Sequence, residues 1–266
     1  MNILQQIVAN KKHEIQERKS LFPTKLLEKS TYFNGKPVSL VSYLRRPDKI
    51  GVIAEFKRKS PSKGIINASA SIEKTSIGYM QAGASGLSIL TDQTYFGGLN
   101  DDLTTARDFN FCPILRKDFV IDEYQIIEAK SIGADVILLI AGILNKEQIY
   151  KFANLAKGLG MEVLLEVHNE VELVDCLCDP IDLVGVNNRD LKVFKTSVDT
   201  SVQLSDKIPN KFLKISESGI NDAKTVKKLM KIGYEGFLVG EFFMKHGEPE
   251  RACAEFILEL KMLSKS

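Results

Sequence analysis

Five segments of this chain place ionisable residues directly behind apolar runs, where a side chain can be buried and still face a ligand. They read AEFKRKSPSKG (residues 54–64), ILRKDF (114–119), LLEVH (164–168), GVNNRDL (185–191) and ISESGI (215–220). In order they supply Glu55, Lys57 and Ser60, then Lys117, then Glu166, then Asn187 and Arg189, then Glu217 and Ser218. Glu55 and Lys57 are two apart, so on an extended strand both fall on one face. A buried Lys or Glu is costly unless paired, so two lysines and three glutamates gathered at one place are hard to explain by packing. Neighbours of this kind shift each other's pKa and can hold one lysine as an acid and one carboxylate as a base. A second chemistry lies in ESGI (217–220) and LVGEFFM (238–244). Gly219 and Gly240 each stand before an expected helix, where backbone N–H groups and the helix dipole favour a phosphate.

Blander readings apply elsewhere. Lys117 alone would pass for a solvated loop residue, and Arg58, Lys59 and Lys63 are expected to line a solvated loop. His168 is expected on the opposite face from Glu166, structural or solvent-facing. Cys112, Cys176, Cys178 and Cys253 lack paired CxxC spacing, and His13, His168 and His246 are scattered, so reduced thiols and no metal site are expected. With 36 Lys and Arg against 34 Asp and Glu, and no basic block or aromatic stacking motif, the chain has no evident nucleic-acid surface.

The elements that must position these residues repeat along the chain. Eight β-rich runs span Ile50–Phe56, Gly86–Thr91, Cys112–Arg116, Asp135–Ala141, Glu162–Val167, Asp182–Asn187, Phe212–Ser216 and Gly236–Gly240. Most are continuously apolar, which suits parallel strands covered on both faces. Between them lie amphipathic segments with helix-start signals such as Asp122 before Gln125 and Asn145 before Gln148. The joints QAGASGLSIL, SIGADVILLI, GLGMEVLLEV and KIGYEGFLVG each end a helix at a glycine suited to a left-handed cap. The strand starts lie about 27 residues apart, close to the roughly 30 of a βα unit. Eight units favour a (β/α)8 TIM barrel over an open doubly wound sheet, since no GxGxxG follows a strand. In that fold strand ends carry the active site, and the loops after strands 7 and 8 often bind phosphate.

Residues 50–266 are assigned to the barrel and 1–49 to an N-terminal helical extension, within a single domain covering 1–266. Ile3, Leu4, Ile7 and Val8 are expected to cover one end of the barrel. The apolar fraction of 44% and charged fraction of 26% suit a large buried core. No run reaches the roughly 18 apolar residues of a membrane span. The N-terminus is charged, without an apolar signal core, so a cytoplasmic location is expected. Oligomeric state is left open, a monomer included.

The segments IAEFKRKSPSKG, ILTDQTYFGG, PILRKDF, LLEVH, GVNNRDL, ESGI and LVGEFFM together resemble the indole-3-glycerol phosphate synthase family of tryptophan biosynthesis, from about Ile3 to Met262. The resemblance implies a carboxy-lyase without metal or organic cofactor. It would close 1-(2-carboxyphenylamino)-1-deoxyribulose 5-phosphate to indole-3-glycerol phosphate, releasing carbon dioxide and water. On the same resemblance Lys117 matches the general acid and Glu166 the general base. Lys57 matches a lysine that binds the substrate carboxylate and is a second candidate proton donor. Glu55, Asn187 and Glu217 match orienting residues, while Ser60, Arg189, Ser218, Gly219 and Gly240 match residues near the carboxylate or phosphate. Glu241 stands where a small hydroxyl residue would suit a phosphate better, so only the Gly240 backbone is carried over. The SPSKG loop, Ser60 to Ile66, is expected to close over substrate. A Schiff-base aldolase, a sugar-phosphate isomerase and a catalytically silent barrel are the rival readings, and the joint presence of Lys57, Lys117 and Glu166 counts against the last.

Overall fold

The computed structural model describes residues 2–190 and 195–265. Met1, Leu191 of the GVNNRDL segment and Ser266 lie outside them. Eight parallel strands form a closed barrel: β1 (Val52–Phe56), β2 (Gly86–Leu90), β3 (Ile114–Lys117), β4 (Val136–Ile140), β5 (Glu162–Val167), β6 (Leu183–Asn187), β7 (Leu213–Glu217) and β8 (Gly236–Val239). Each pairs with its neighbour in sequence, and β1 closes on β8 through Val52↔Phe237 and Ala54↔Val239. Helices lie between the strands, as the repeat predicts. β3 starts at Ile114 rather than Cys112, because Pro113 has no N–H to give a ladder. Two short antiparallel hairpins, Lys59–Ser60 with Gly64–Ile65 and Arg189–Asp190 with Lys195–Thr196, leave the ends of β1 and β6.

Local signals account for the joints. Asp122 and Gln125 form a capping box, as do Asn145 and Gln148. Gly83, Gly133, Gly160 and Gly233 all have positive φ, between 79° and 103°, so the four similar joints share one left-handed turn into a strand.

Alternation along the strands then sorts the core into two sets. Ile53, Leu115, Val136, Leu138, Leu164, Leu183, Leu213, Ile215 and Leu238 fill the barrel interior. Val52, Ala54, Ile114, Ile137, Val163, Val184 and Phe237 face the helices. Every second residue points inward, and continuing the inward set to the strand ends reaches Glu55, Lys117, Glu166, Asn187 and Glu217.

The extension reaches both ends of the barrel rather than one. Leu40 and Leu44, on a short helix capped by Ser39, pack at the strand starts near Gly86 and Gly236. The first helix, Ile3–Leu21, runs beside the other end, with Ile7 buried, Ile3 and Leu4 packed on the interior set and Val8 half-buried. Lys11 on this helix is fully buried and lies 2.9 Å from Asp92, 3.0 Å from Asp118 and 2.8 Å from Glu14. Asp118 continues the cluster to Arg116 at 3.1 Å, and Arg116 to Glu128 at 2.7 Å, which Arg18 of the same helix also meets. The extension therefore grips the two residues flanking Lys117, Asp118 directly and Arg116 through Glu128.

Removing Lys11 would take the ion-pair partner from buried Asp92 and leave Asp118 with Arg116 alone, so Lys11→Ala should cost about 3–5 kcal/mol in urea unfolding. Burial tends to raise the Asp118 pKa, but Lys11 and Arg116 outweigh it and hold it below the usual value. Its stabilisation is complete above about pH 4, where the unfolded carboxyl ionises, and is lost as pH falls toward the depressed folded value. In the variant, acid unfolding should begin at a higher pH.

Candidate functional site

The C-terminal ends of the strands surround a cavity of about 560 Å³. Each odd-numbered strand delivers a charged side chain to it: Glu55 from β1, Lys117 from β3, Glu166 from β5 and Glu217 from β7. Alternate strands contributing to one layer is the packing rule of this barrel, applied here to ionised groups instead of aliphatic ones. Lys117 Nζ donates to Glu166 Oε2 at 2.7 Å and to Glu217 Oε2 at 3.0 Å. Lys57 Nζ donates to Glu55 Oε1 at 2.7 Å. Both lysine side chains keep 14% exposure, whereas the three glutamates are buried. The cations are thus the groups a ligand meets first.

Burial alone would discharge these groups. For Lys117 it is outweighed by Glu166, Glu217 and Glu55, which hold the pKa above the ordinary lysine value. For Glu166 burial is outweighed by Lys117 and then His168, and the pKa is lowered. For Glu217 burial prevails over Lys117, with Glu166 and Glu55 adding to it, and the pKa is raised. One carboxylate is held ionised and another is biased toward its acid form, beside a lysine held as a cation. Such a set can protonate a developing oxyanion and remove a proton from the same bound molecule.

The other side of the cavity receives anions. β7 leads into Ser218 and Gly219, both left-handed at φ 67° and 74°. Ser218 is the one non-glycine residue with positive φ among those described, and Asn188 holds the turn by donating from Nδ2 to the Ser218 carbonyl at 3.0 Å and to Ser216 Oγ at 3.0 Å. Gly240 follows β8 and precedes the four-residue helix Glu241–Met244. Arg189 bonds Ser62 of the first hairpin and Glu241 Oε2, the latter at 2.7 Å, while Lys63 Nζ stands 3.6 Å from Glu241 Oε1. Burial raises the Glu241 pKa, but Arg189 outweighs it and keeps the carboxyl ionised. Ser60 Oγ is buried without a hydrogen-bond partner.

All eleven residues expected at a site, Glu55, Lys57, Ser60, Lys117, Glu166, Asn187, Arg189, Glu217, Ser218, Gly219 and Gly240, line this one cavity. Two expectations about other residues fail. His168 does not lie on the opposite face from Glu166: its Nε2 is 3.8 Å from Glu166 Oε1, because residues two apart on an extended strand share a side. Arg58 is not a solvated loop charge, since it pairs with Asp102 through two bonds of 2.6 and 2.8 Å and lies over the Phe56 ring. Several contributors went unrecognised. Phe96, Phe119, Leu138 and Ile140 supply an apolar wall. Asn188 is concealed beside Asn187 in the same segment. Gly185 makes room for Glu217, whose Oε1 would lie 2.1 Å from a Cβ placed there. A glycine inside the apolar run LVGVN was the available sign of such a close approach.

Comparison with known proteins finds relatives over nearly the whole chain. Residues 4–256 match the family model described as indole-3-glycerol phosphate synthase. The chain is similar to proteins of that name from Bacteroides thetaiotaomicron, 44% identical over 96% of this chain and 98% of the relative, and from Acetivibrio thermocellus, 39% identical over 97% and 99%. Among solved structures it is similar to a tryptophan synthase subunit from Pyrococcus furiosus, at 15% identity and TM-score 0.59 over 81% of this chain and 99% of that one. It is likewise similar to 3-hexulose-6-phosphate synthase from Salmonella typhimurium, at 13% identity and TM-score 0.59 over 79% and 99%. At those identities the structural likenesses speak for the barrel alone.

Gly185→Ala should push Glu217 off Lys117 and lower turnover by about 10–100-fold without unfolding the barrel, a misplacement effect of the usual size. Steady-state kinetics alongside circular dichroism checks this, and an unchanged kcat would remove Glu217 from the machinery.

Proposed function

The chain belongs to the indole-3-glycerol phosphate synthase family, and on that premise we propose how the residues around the cavity divide the reaction. The activity is that of a decarboxylating lyase of tryptophan synthesis acting on a phosphorylated small molecule. The observation that carries the division of labour is the Lys117 ammonium held between Glu166 and Glu217.

In this reading the substrate, 1-(2-carboxyphenylamino)-1-deoxyribulose 5-phosphate, lays its aromatic ring against Phe96 and Phe119 and its phosphate against the backbone at Gly219 and Gly240. That anchor folds a linear molecule so that its carboxyl-bearing ring carbon approaches the ketone. As the carbon–carbon bond forms, Lys117 gives a proton to the carbonyl oxygen and stabilises its developing charge. Carbon dioxide leaves and restores electrons to the ring system. Glu166 then takes a proton as the new hydroxyl departs, and a lysine protonates that hydroxyl so that it leaves as water. Lys57 binds the substrate carboxylate and is the second donor. Glu55, Asn187 and Glu217 orient the lysines and the intermediate, with Ser60, Arg189 and Ser218 on the anionic groups. The hairpin after β1 closes over the bound molecule, with Ser62 already held by Arg189.

An ammonium kept charged by three carboxylates is a poor nucleophile, which counts against the Schiff-base aldolase reading. We further assign a single domain, because the extension and the strands share one buried set. The four cysteines are unpaired thiols, which suits a cytoplasmic setting. Among the described residues no helix is long and apolar enough to cross a membrane.

With substrate in chelator and no added cofactor, indole fluorescence should rise against a low background, because the chain contains no Trp. Lys117→Met should cut kcat by about a thousandfold and leave substrate binding within a few-fold. Near-normal turnover in Lys117→Met would remove it as the acid.

A further inference from the structure

The charges at the barrel mouth do not balance among the residues assigned so far. Glu55, Glu166 and Glu217 face Lys57 and Lys117, leaving one carboxylate more than there are ammonium groups. Arg189 does not make up the difference, being paired with Glu241 at 2.7 Å. An uncompensated buried charge is expensive, so the surplus needs either a proton, toward which burial biases Glu217, or a further cation that keeps Glu166 from taking it.

His168 is placed to be that cation. Glu166 presents its two oxygens to different partners, Oε2 to Lys117 at 2.7 Å and Oε1 to His168 Nε2 at 3.8 Å. Nε2 is buried and makes no hydrogen bond, and His168 does not line the cavity, so the ring faces Glu166 from behind the substrate side. At its other nitrogen, Nδ1 lies 3.3 Å from Glu172 Oε2. Glu172 is itself fixed: Oε2 accepts the His168 backbone N–H at 2.8 Å, and Oε1 accepts from Asn169 Nδ2 at 3.0 Å. An imidazole with a carboxylate at each nitrogen is set up to carry two protons.

We propose that His168, held by Glu172, is a positioning residue that supplies the third positive charge of the mouth and keeps Glu166 ionised as the base. This rests on Glu166 being the base. The electrostatics agree in direction: burial opposes the imidazolium, but the Glu172 hydrogen bond and the charges of Glu166, Glu172 and Glu217 outweigh it, and the His168 pKa is raised. Among the described residues, Lys117, across Glu166, is the cation of the mouth that bonds the same carboxylate. Taking the imidazolium away raises the Glu166 pKa, so activity on the acid side should be lost at a higher pH than in the unaltered enzyme.

NMR titration of the ring protons tests the pair in the unaltered protein. His168 should titrate above the ordinary imidazole value of about 6.5, and Glu166→Gln should lower its midpoint. In kinetics, His168→Gln should move the acid limb of kcat up by about one pH unit while KM holds, with Glu172→Gln moving it part of the way and His168→Lys restoring it. A His168 midpoint at or below the ordinary value of about 6.5 and unmoved by Glu166→Gln overturns the proposal. A midpoint that responds to Glu166→Gln, beside an acid limb indifferent to His168→Gln, removes Glu166 as the base and the proposal with it, leaving only an ion pair. Because the titration needs no His168 variant, poor folding of His168→Gln would not shield the idea.

Discussion

Everything at the mouth of this barrel follows from one ammonium group enclosed by carboxylates. Lys117 can remain charged in a largely buried position because Glu166 and Glu217 lie within hydrogen-bond distance, and they can remain there because Lys117 does. These three groups come from β3, β5 and β7, so the arrangement exists only when the barrel is closed and its strands are in register. The aliphatic layers beneath are the support that sets this register. Two places on or directly after even-numbered strands must then go without side chains, Gly185 beside Glu217 and Gly240 beside Glu55.

The cavity is divided by chemistry as well as by shape. One side presents paired opposite charges that can exchange protons with a reacting centre. The other offers backbone N–H groups at the ends of β7 and β8, where a phosphate can bind without taking part in proton transfer. Arg189 lies between them, bonded to the hairpin after β1 and to the helix after β8. The Ser218 turn is held from outside the cavity by Asn188, which Ser201 in turn fixes through its backbone N–H and hydroxyl. Strain at the anion side is therefore supported by a buried polar set that need not touch the ligand.

Much of this was legible in the sequence because the signals were local. Left-handed glycines, capping boxes and strand-length apolar runs act over a few residues, and they marked out the barrel. The site was legible where a polar residue ended a strand, as at Lys117 or Glu217. What escaped required knowledge of which chains lie side by side. Gly185 matters only because Glu217 crosses it from the next strand, and Arg58 is a structural tie only because Asp102 comes round to meet it. Lys11 reads as one more charge on an amphipathic helix until β2 and β3 deliver Asp92 and Asp118. His168 is a different case: the alternation that placed Glu55 and Lys57 together also applied to Glu166 and His168.

The buried cluster around Lys11 also has an order in time. Synthesis runs from the N-terminus, so the first helix leaves the ribosome well before the carboxylates of Asp92 and Asp118 exist. Until they arrive, the Lys11 ammonium has only Glu14 of its own helix as a partner and must stay hydrated. The nascent helix cannot dock until β3 has been made, since docking would bury a cation without its counter-charges. The first helix is thus held back from its final place, and it seals the side of the barrel next to Lys117 only once the residues flanking that lysine are present.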